Sequence, residues 1–269
     1  MGLKVGLVGC GAIGSALARF IQRKLRPVGT LKYIFDSDLK AQDRLACSLK
    51  SRFPQLTLSE LVKKSDFVIE AASIRSAREI IPLSIRYKKP TLLMSGGGLV
   101  SEGKLLKKIF HQSTKFYLPS GAIGVIDALL ASREAGIQKI RITTSKSLKS
   151  LAGAPYFKQF PKKSNLKKSS EMIFEGNVLE AIRYFPKNLN VAALLALGGK
   201  GPRKTRVRVI AYKALEKNIH EIEIESKAGK IYFKTENFPH PDNPRTSALA
   251  IYSAQALLRK IFSPLSLGT

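Results

Sequence analysis

Two short stretches hold residues whose types and spacing suit chemistry. The first is GCGAIG, Gly9 to Gly14, directly after the apolar run LKVGLV and directly before the helical AIGSALARFIQ. In that context G-x-G-x-x-G is a pyrophosphate cradle. Gly9 permits the tight turn, Gly11 lets the backbone approach a phosphate, and Gly14 lets helix and strand pack closely. Ala12 and Ile13 open a helix whose free amides and dipole favour the anion. Asp36 follows 22 residues after Gly14, at the end of the next apolar run, where a carboxylate can accept the ribose hydroxyls of an adenosine. It favours NAD, since it repels a 2′-phosphate, while Lys40 and Arg44 leave NADP open. The second stretch is KNIHEIEIE, residues 217–225. His220 shares its parity with Ile222 and Ile224, and Glu221, Glu223 and Glu225 take the other, so a strand turns the imidazole inward. An inward histidine is either a hydrogen-bonded core residue or an active-site group.

The elements that must position these residues fall into two patterns. Apolar runs at 3–8, 31–36, 66–71, 91–95 and 115–118 alternate with helix-length segments, the order of a parallel sheet wound with helices. Beyond about residue 120 the order changes to a helix, a strand KIRITTS, a basic loop and helical segments around 177–199. Strand-like stretches follow at 205–211, 219–225 and 230–234, the last two joined by a turn at Gly229. Outward Arg206 and Arg208 are expected to face the outward glutamates of 219–225 across a ladder. Asn243 and Pro244 read as cap and first residue of a closing helix, whose Leu249, Tyr252 and Ala256 form the stripe that docks on the body. The expectation is a Rossmann-type doubly wound parallel sheet over 1–120, an α+β domain with a mostly antiparallel sheet over 121–242, and a C-terminal helical segment over 243–269.

Composition narrows the classes. The chain has 269 residues and a formal net charge of +27 from 46 Lys and Arg against 19 Asp and Glu. Such a charge raises nucleic-acid binding as a hypothesis, but the basic residues are dispersed. Their densest cluster, KQFPKKSNLKKS at 158–169, reads as a solvated loop, and the chain shows no recognition-helix motif or aromatic-interleaved basic strand. The excess attracts anionic metabolites instead. Cys10 and Cys47 supply neither a disulfide framework nor a metal-ligand spacing, and the chain has no N-glycosylation acceptor, which fits a reducing, cytoplasmic setting. Only five residues separate Lys4 from Cys10, too few for a secretory h-region, and no run of about 18 apolar residues occurs.

Further stretches, PSGAIGVIDAL (119–129), FPKNLNVAALLAL (185–197), NIHEI (218–222) and PDNPRTSALA (241–250), stand in register with the amino-terminal VGLVGCGAIG. Together they resemble the L-aspartate dehydrogenase family along nearly the whole chain. The resemblance implies NAD(P)-dependent oxidative deamination of L-aspartate through iminoaspartate, to oxaloacetate and ammonia or toward NAD biosynthesis, by a homodimer. It implies Ala122 and Asn190 beside the nicotinamide and His220 as the catalytic residue facing that ring. Ser120, Gly121, Asn188 and His240 become candidates for the substrate's surroundings. The chain departs from the family pattern at SGGGL (95–99), at SKSLKS (145–150) in place of a Lys-Pro-Pro, and at Val178-Leu179 in place of an alanine-arginine pair.

Two other readings compete. A homoserine dehydrogenase-like protein or an imine reductase would keep the nucleotide fold and change the substrate. A cofactor-sensing or nucleic-acid-binding protein would keep the charge and lack dehydrogenation. A semialdehyde dehydrogenase needs a cysteine nucleophile in the second domain, and both cysteines lie in the first.

Overall fold

The computed structural model describes residues 2–26, 28–186, 190–240, 243–265 and 267–268, with the backbone alone of 243–246. The chain divides into two compact units, Met1–Pro119 with Ile251–Leu267, and Ser120–Ala250 with Gly268–Thr269.

In the first unit the order is β1 (Leu3–Val8), α1 (Ala12–Lys24), β2 (Gly29–Phe35), α2 (Leu39–Ser48), α3 (Leu58–Lys64), β3 (Phe67–Glu70), α4 (Ile74–Arg86), β4 (Thr91–Leu93), a 3-10 turn over Gly96–Ser101, α5 (Gly103–Phe110) and β5 (Phe116–Tyr117). The strands form one parallel sheet in the order β2-β1-β3-β4-β5. Each apolar run of the sequence is a strand of it. The runs are unbroken because both faces of a parallel sheet are covered: Phe67, Val68 and Ile69 in succession are buried, with the closing Glu70. Val5, Leu7, Leu17, Ile21, Ile34 and Phe67 form one core. The turns into the helices are capped locally, α3 by the reciprocal Thr57–Glu60 box and α4 by Ser73.

The second unit contains α6 (Ile126–Glu134), β6 (Ile137–Ser147), α7 (Leu148–Leu151), α8 (Pro155–Gln159), β7 (Ser170–Asn177), α9 (Val178–Tyr184), α10 (Asn190–Gly198), β8 (Arg206–Tyr212), β9 (Asn218–Ser226), β10 (Gly229–Asn237), β11 (Pro239–His240) and β12 (Asn243–Ser247). Five of these strands form a mixed sheet in the order β10-β9-β6-β8-β7, in which only β6 and β8 run parallel. β7 has no counterpart among the expected strands. Its register shifts between Met172 and Phe174, so the neighbours Ile173 and Phe174 are both buried and the period-two signal disappears.

Two expectations fail here. Arg208 does not meet the β9 glutamates, because β6 lies between β8 and β9. It donates instead to Glu175 of β7 at 2.9 Å, while Arg141 of β6 reaches Glu223 of β9 at 2.5 Å. The closing helix α11 (Ala248–Phe262) starts five residues after Asn243, because Asn243–Ser247 pairs with Pro239–His240 as β12. Its buried stripe is Ile251, Ala254 and Leu258, and the last two join the first unit's core. Leu249 and Tyr252 are exposed, at 37% and 62%. A shift of two positions along a helix turns its face by about 200°, which exchanges the docked and the solvent sides.

Candidate active site

In the first unit the glycine loop has the geometry its spacing predicts. Gly9 has a φ of +100°, and a Cβ there would lie 2.6 Å from the carbonyl carbon of Ala71. A Cβ on Gly14 would lie 1.8 Å from the Gly9 carbonyl oxygen, so only glycine lets α1 start this close to β1. At Gly11 a Cβ would meet nothing within 4 Å, leaving open space over the backbone. α1 begins at Ala12 and Ile13 with no side chain capping its amides and no acidic residue in its first turn. An uncapped, unneutralised helix start beside open space fits a pyrophosphate.

Asp36 lies just past β2, half-buried. Its Oδ2 accepts the Cys10 backbone N–H at 2.7 Å and its Oδ1 accepts that of Asp38 at 3.0 Å. These bonds aim the carboxylate beside the loop and leave each oxygen a further lone pair for a hydroxyl. Asp38 caps α2 and pairs with Arg44 at 3.4 Å, which occupies one of the two cations considered for a 2′-phosphate. Burial first, and then the charge of Asp36, push the Cys10 thiol up to about 12, so it is a packing residue and not a nucleophile.

The second unit brings together a different set. On one face of its sheet, Ile140 and Ile142 of β6, Val207 and Val209 of β8, and Ile222 and Ile224 of β9 are buried. Followed toward the carboxyl end of β6, that face turns polar. Thr144 pairs in register with His220, and His220 with Thr235; Asn218 pairs with Asn237 one step further, and Lys146 follows Thr144 on the same side of β6. His220 is only 3% exposed, yet its neighbours are polar: Nδ1 lies 3.1 Å from the Thr144 hydroxyl. Burial, and secondarily the charge of Lys146, hold the imidazole down to about 3 from its ordinary 6.5, so it is neutral. Lys146 is 6% exposed, and burial alone lowers its ammonium to about 8.

The loop carrying Ser120, Gly121 and Ala122 is tied to the same polar end. The Ala122 carbonyl accepts hydrogen bonds from Asn237 Nδ2 at 2.9 Å and from Thr235 Oγ1 at 3.2 Å. Gly121 has a φ of +66° with nothing near its missing Cβ. Ser120 is half-buried and Ala122 buried. Asn190 is exposed as the first residue of α10, His240 is half-buried on β11 opposite Asn243, and Asn188 lies outside the described residues. His111 is exposed, with Nδ1 2.8 Å from the Lys107 carbonyl oxygen.

Thr144, Lys146, Asn218, Thr235 and Asn237 were not singled out in the sequence, although a signal was present. Counting in twos from Ile140 turns Lys146 inward, and counting from Phe233 turns Thr235 and Asn237 inward. A lysine at an inward position is the anomaly that marks the site.

Comparison with known proteins adds to this geometry. The family described as aspartate dehydrogenase, C-terminal, matches residues 127–261, and the NAD-binding domain of homoserine dehydrogenase matches residues 9–119. An L-aspartate dehydrogenase of Methanosarcina barkeri is 37% identical over 271 residues, covering 99% of this chain and 100% of its own. One from Methanocaldococcus jannaschii is 37% identical over 279 residues with the same coverage. The chain belongs to the L-aspartate dehydrogenase family. Residues 9–119 are accordingly an NAD(P)-binding domain, the one that holds the glycine loop. A crystal structure of aspartate dehydrogenase from Thermotoga maritima shares the fold over 100% of both chains, with a TM-score of 0.71 at 23% identity. Among the described residues no helix is long and apolar enough to cross a membrane, and no group of three or more His, Cys, Asp or Glu side chains could hold a metal ion.

Proposed function

We propose that this chain is an NAD(P)-dependent L-aspartate dehydrogenase, with the glycine loop and Asp36 holding the dinucleotide and His220 as its catalytic residue. The observation that carries the reading is the neutral imidazole at the polar end of a buried sheet face, in a chain of this family.

Gly9, Gly11 and Gly14 shape the loop, the amides of Ala12 and Ile13 face the pyrophosphate, and Asp36 takes the ribose hydroxyls, which favours NAD over NADP. When bound, the nicotinamide supplies the acceptor for the hydride that leaves the substrate Cα. Thr144 fixes the ring of His220 through Nδ1; in the tautomer whose Nδ1–H donates to that hydroxyl, Nε2 keeps a lone pair for a proton. Ala122, whose carbonyl Thr235 and Asn237 hold, and Gly121 before it are small residues suited to a flat ring. L-Aspartate loses a hydride from Cα and a proton from its amine to give iminoaspartate; water then adds at Cα and ammonia leaves, giving oxaloacetate.

His220 Nε2 takes the proton from the amine in the first stage and returns it to the imine nitrogen; in the second it takes a proton from the attacking water and passes it to the departing ammonia. An imidazole held down to about 3 is a weak base by itself. A dicarboxylate entering beside it raises its proton affinity, so the substrate's own charge brings the base toward its working range. The family resemblance further supports a homodimer, with the outward Met172 and Tyr232 of the mixed sheet, 48% and 70% exposed, as apolar surface it could cover.

A panel of amino acids with both cofactors, followed at 340 nm, tests the reading. NADH formation with L-aspartate is expected, and turnover confined to homoserine would refute the substrate assignment.

A further inference from the structure

Basic residues on the two faces of the mixed sheet meet opposite fates. On the outward face four basic side chains of the ladder have a carboxylate: Arg141 with Glu223 at 2.5 Å, Arg208 with Glu175 at 2.9 Å, Lys139 with Glu225 at 3.5 Å and Lys234 with Glu236 at 2.9 Å. On the inward face Lys146 is nine-tenths buried, and among the described residues no carboxylate pairs with it. Its own face offers the Thr144 hydroxyl, the neutral His220 ring and the amide of Asn218, none of which carries a negative charge. A buried ammonium without a counter-ion is costly, and a fold keeps one where a ligand completes the pair.

We propose that Lys146 is a substrate-binding residue whose ammonium takes one carboxylate of the dicarboxylic amino acid on which His220 acts. The assignment rests on the reading of His220 given above. Three features of the position agree. Lys146 stands two residues beyond Thr144 on β6, and Thr144 is the hydrogen-bonding partner of His220, so a carboxylate on the ammonium keeps the rest of a four-carbon substrate within reach of the ring. The ammonium retains most of its charge at neutral pH, since burial lowers it only to about 8. Burial chiefly holds the His220 ring down, and the Lys146 charge adds to it; that second part is the one a bound carboxylate offsets.

The test uses Lys146→Met and Lys146→Arg in the full chain, with and without NADH, and succinate as a dicarboxylate that cannot react. Succinate is expected to raise the melting temperature of the wild type and not that of Lys146→Met. The same variant is expected to raise KM for L-aspartate by about 30-fold or more, the usual loss when one member of a buried charge pair is removed. Its NADH affinity stays within about threefold of the wild type, the scatter of a side chain that does not touch the cofactor. Lys146→Arg recovers part of the succinate effect; if Lys146→Met does not fold, Lys146→Gln carries the same comparison. Unchanged KM and an unchanged succinate shift in the methionine variant overturn the proposal, as does a wild type that succinate does not stabilise. A wild type that fails to oxidise L-aspartate but binds succinate through Lys146 sinks the reaction and keeps the anion site. A wild type that oxidises L-aspartate with a dispensable Lys146 does the reverse.

Discussion

The glycine loop and the polar end of the mixed sheet, the two places proposed to receive a ligand, are made from different materials. The loop is made of backbone: three glycines, the first amides of α1 and one carboxylate held by two neighbouring N–H groups, all within residues 9–38. The polar end is made of side chains from three strands, Thr144 and Lys146, Asn218 and His220, Thr235 and Asn237, brought to adjacent rungs from almost a hundred residues of sequence. At Gly9 and Gly14 the backbone site tolerates no added atom. A side-chain site tolerates substitution of shape and is sensitive to charge and protonation. The two regions therefore fail in different ways.

The largest expected effect is in the loop. Gly14→Val places a Cβ where the Gly9 carbonyl oxygen already lies, so the start of α1 must move. NADH binding, followed by its fluorescence, is expected to be lost, while spectra of the mixed sheet's aromatic cluster around Tyr156 stay as in the wild type. Retained binding would break the distinction between the two sites. Next comes His220→Asn, which keeps a polar group in a similar volume and removes the proton acceptor. Turnover is expected to drop by about 10² or more with NADH affinity retained, and a variant that unfolds would return His220 to the role of core residue. Asp36→Ser is smaller: it removes the charge facing a 2′-phosphate, and the preference for NAD over NADP, measured as a ratio of kcat/KM, is expected to fall by roughly tenfold, the worth of one charged hydrogen bond.

The smallest effects are in protonation, and they separate the sites most cleanly. Between pH 6.5 and about 3 the unfolded chain protonates His220 while the folded chain does not, so stability falls as pH drops through that window. Between about 8 and 10.5 the unfolded chain holds a proton that folded Lys146 releases, so stability rises with pH there. Denaturant midpoints across pH, in the wild type and in His220→Gln and Lys146→Met, test both limbs; each variant is expected to flatten its own. The glycine loop adds a limb of the opposite sign: between about 9 and 12 the unfolded chain loses the Cys10 proton that the folded chain keeps, so stability falls as pH rises there.

The same difference governs how much could be read in advance. The first unit was legible because its signals are local: unbroken apolar runs for strands covered on both faces, a fingerprint whose glycines each serve a steric need, and Asp36 at the end of the following strand. His220 was legible as inward because parity is local as well. The reading failed where pairing overrode local preference. Asn243 and Pro244 look like a helix start, but their segment pairs with Pro239–His240, and the shifted start of α11 buries Ile251, Ala254 and Leu258 in place of Leu249, Tyr252 and Ala256. β7 hid behind its own register shift.

The sequence by itself determined that this chain carries a dinucleotide cradle, that its first half winds a parallel sheet, and that one imidazole points inward, because steric demand and strand parity act over a few residues. Only the tertiary structure decided which side chains surround that imidazole. Strand order put β6 beside β9 and β8 beyond it, and register set Thr144, His220 and Thr235 on one rung with Lys146 just past them. The physical reason is that a rung joins residues dozens apart, through hydrogen bonds whose alignment depends on the burial of the whole sheet face and on no single stretch.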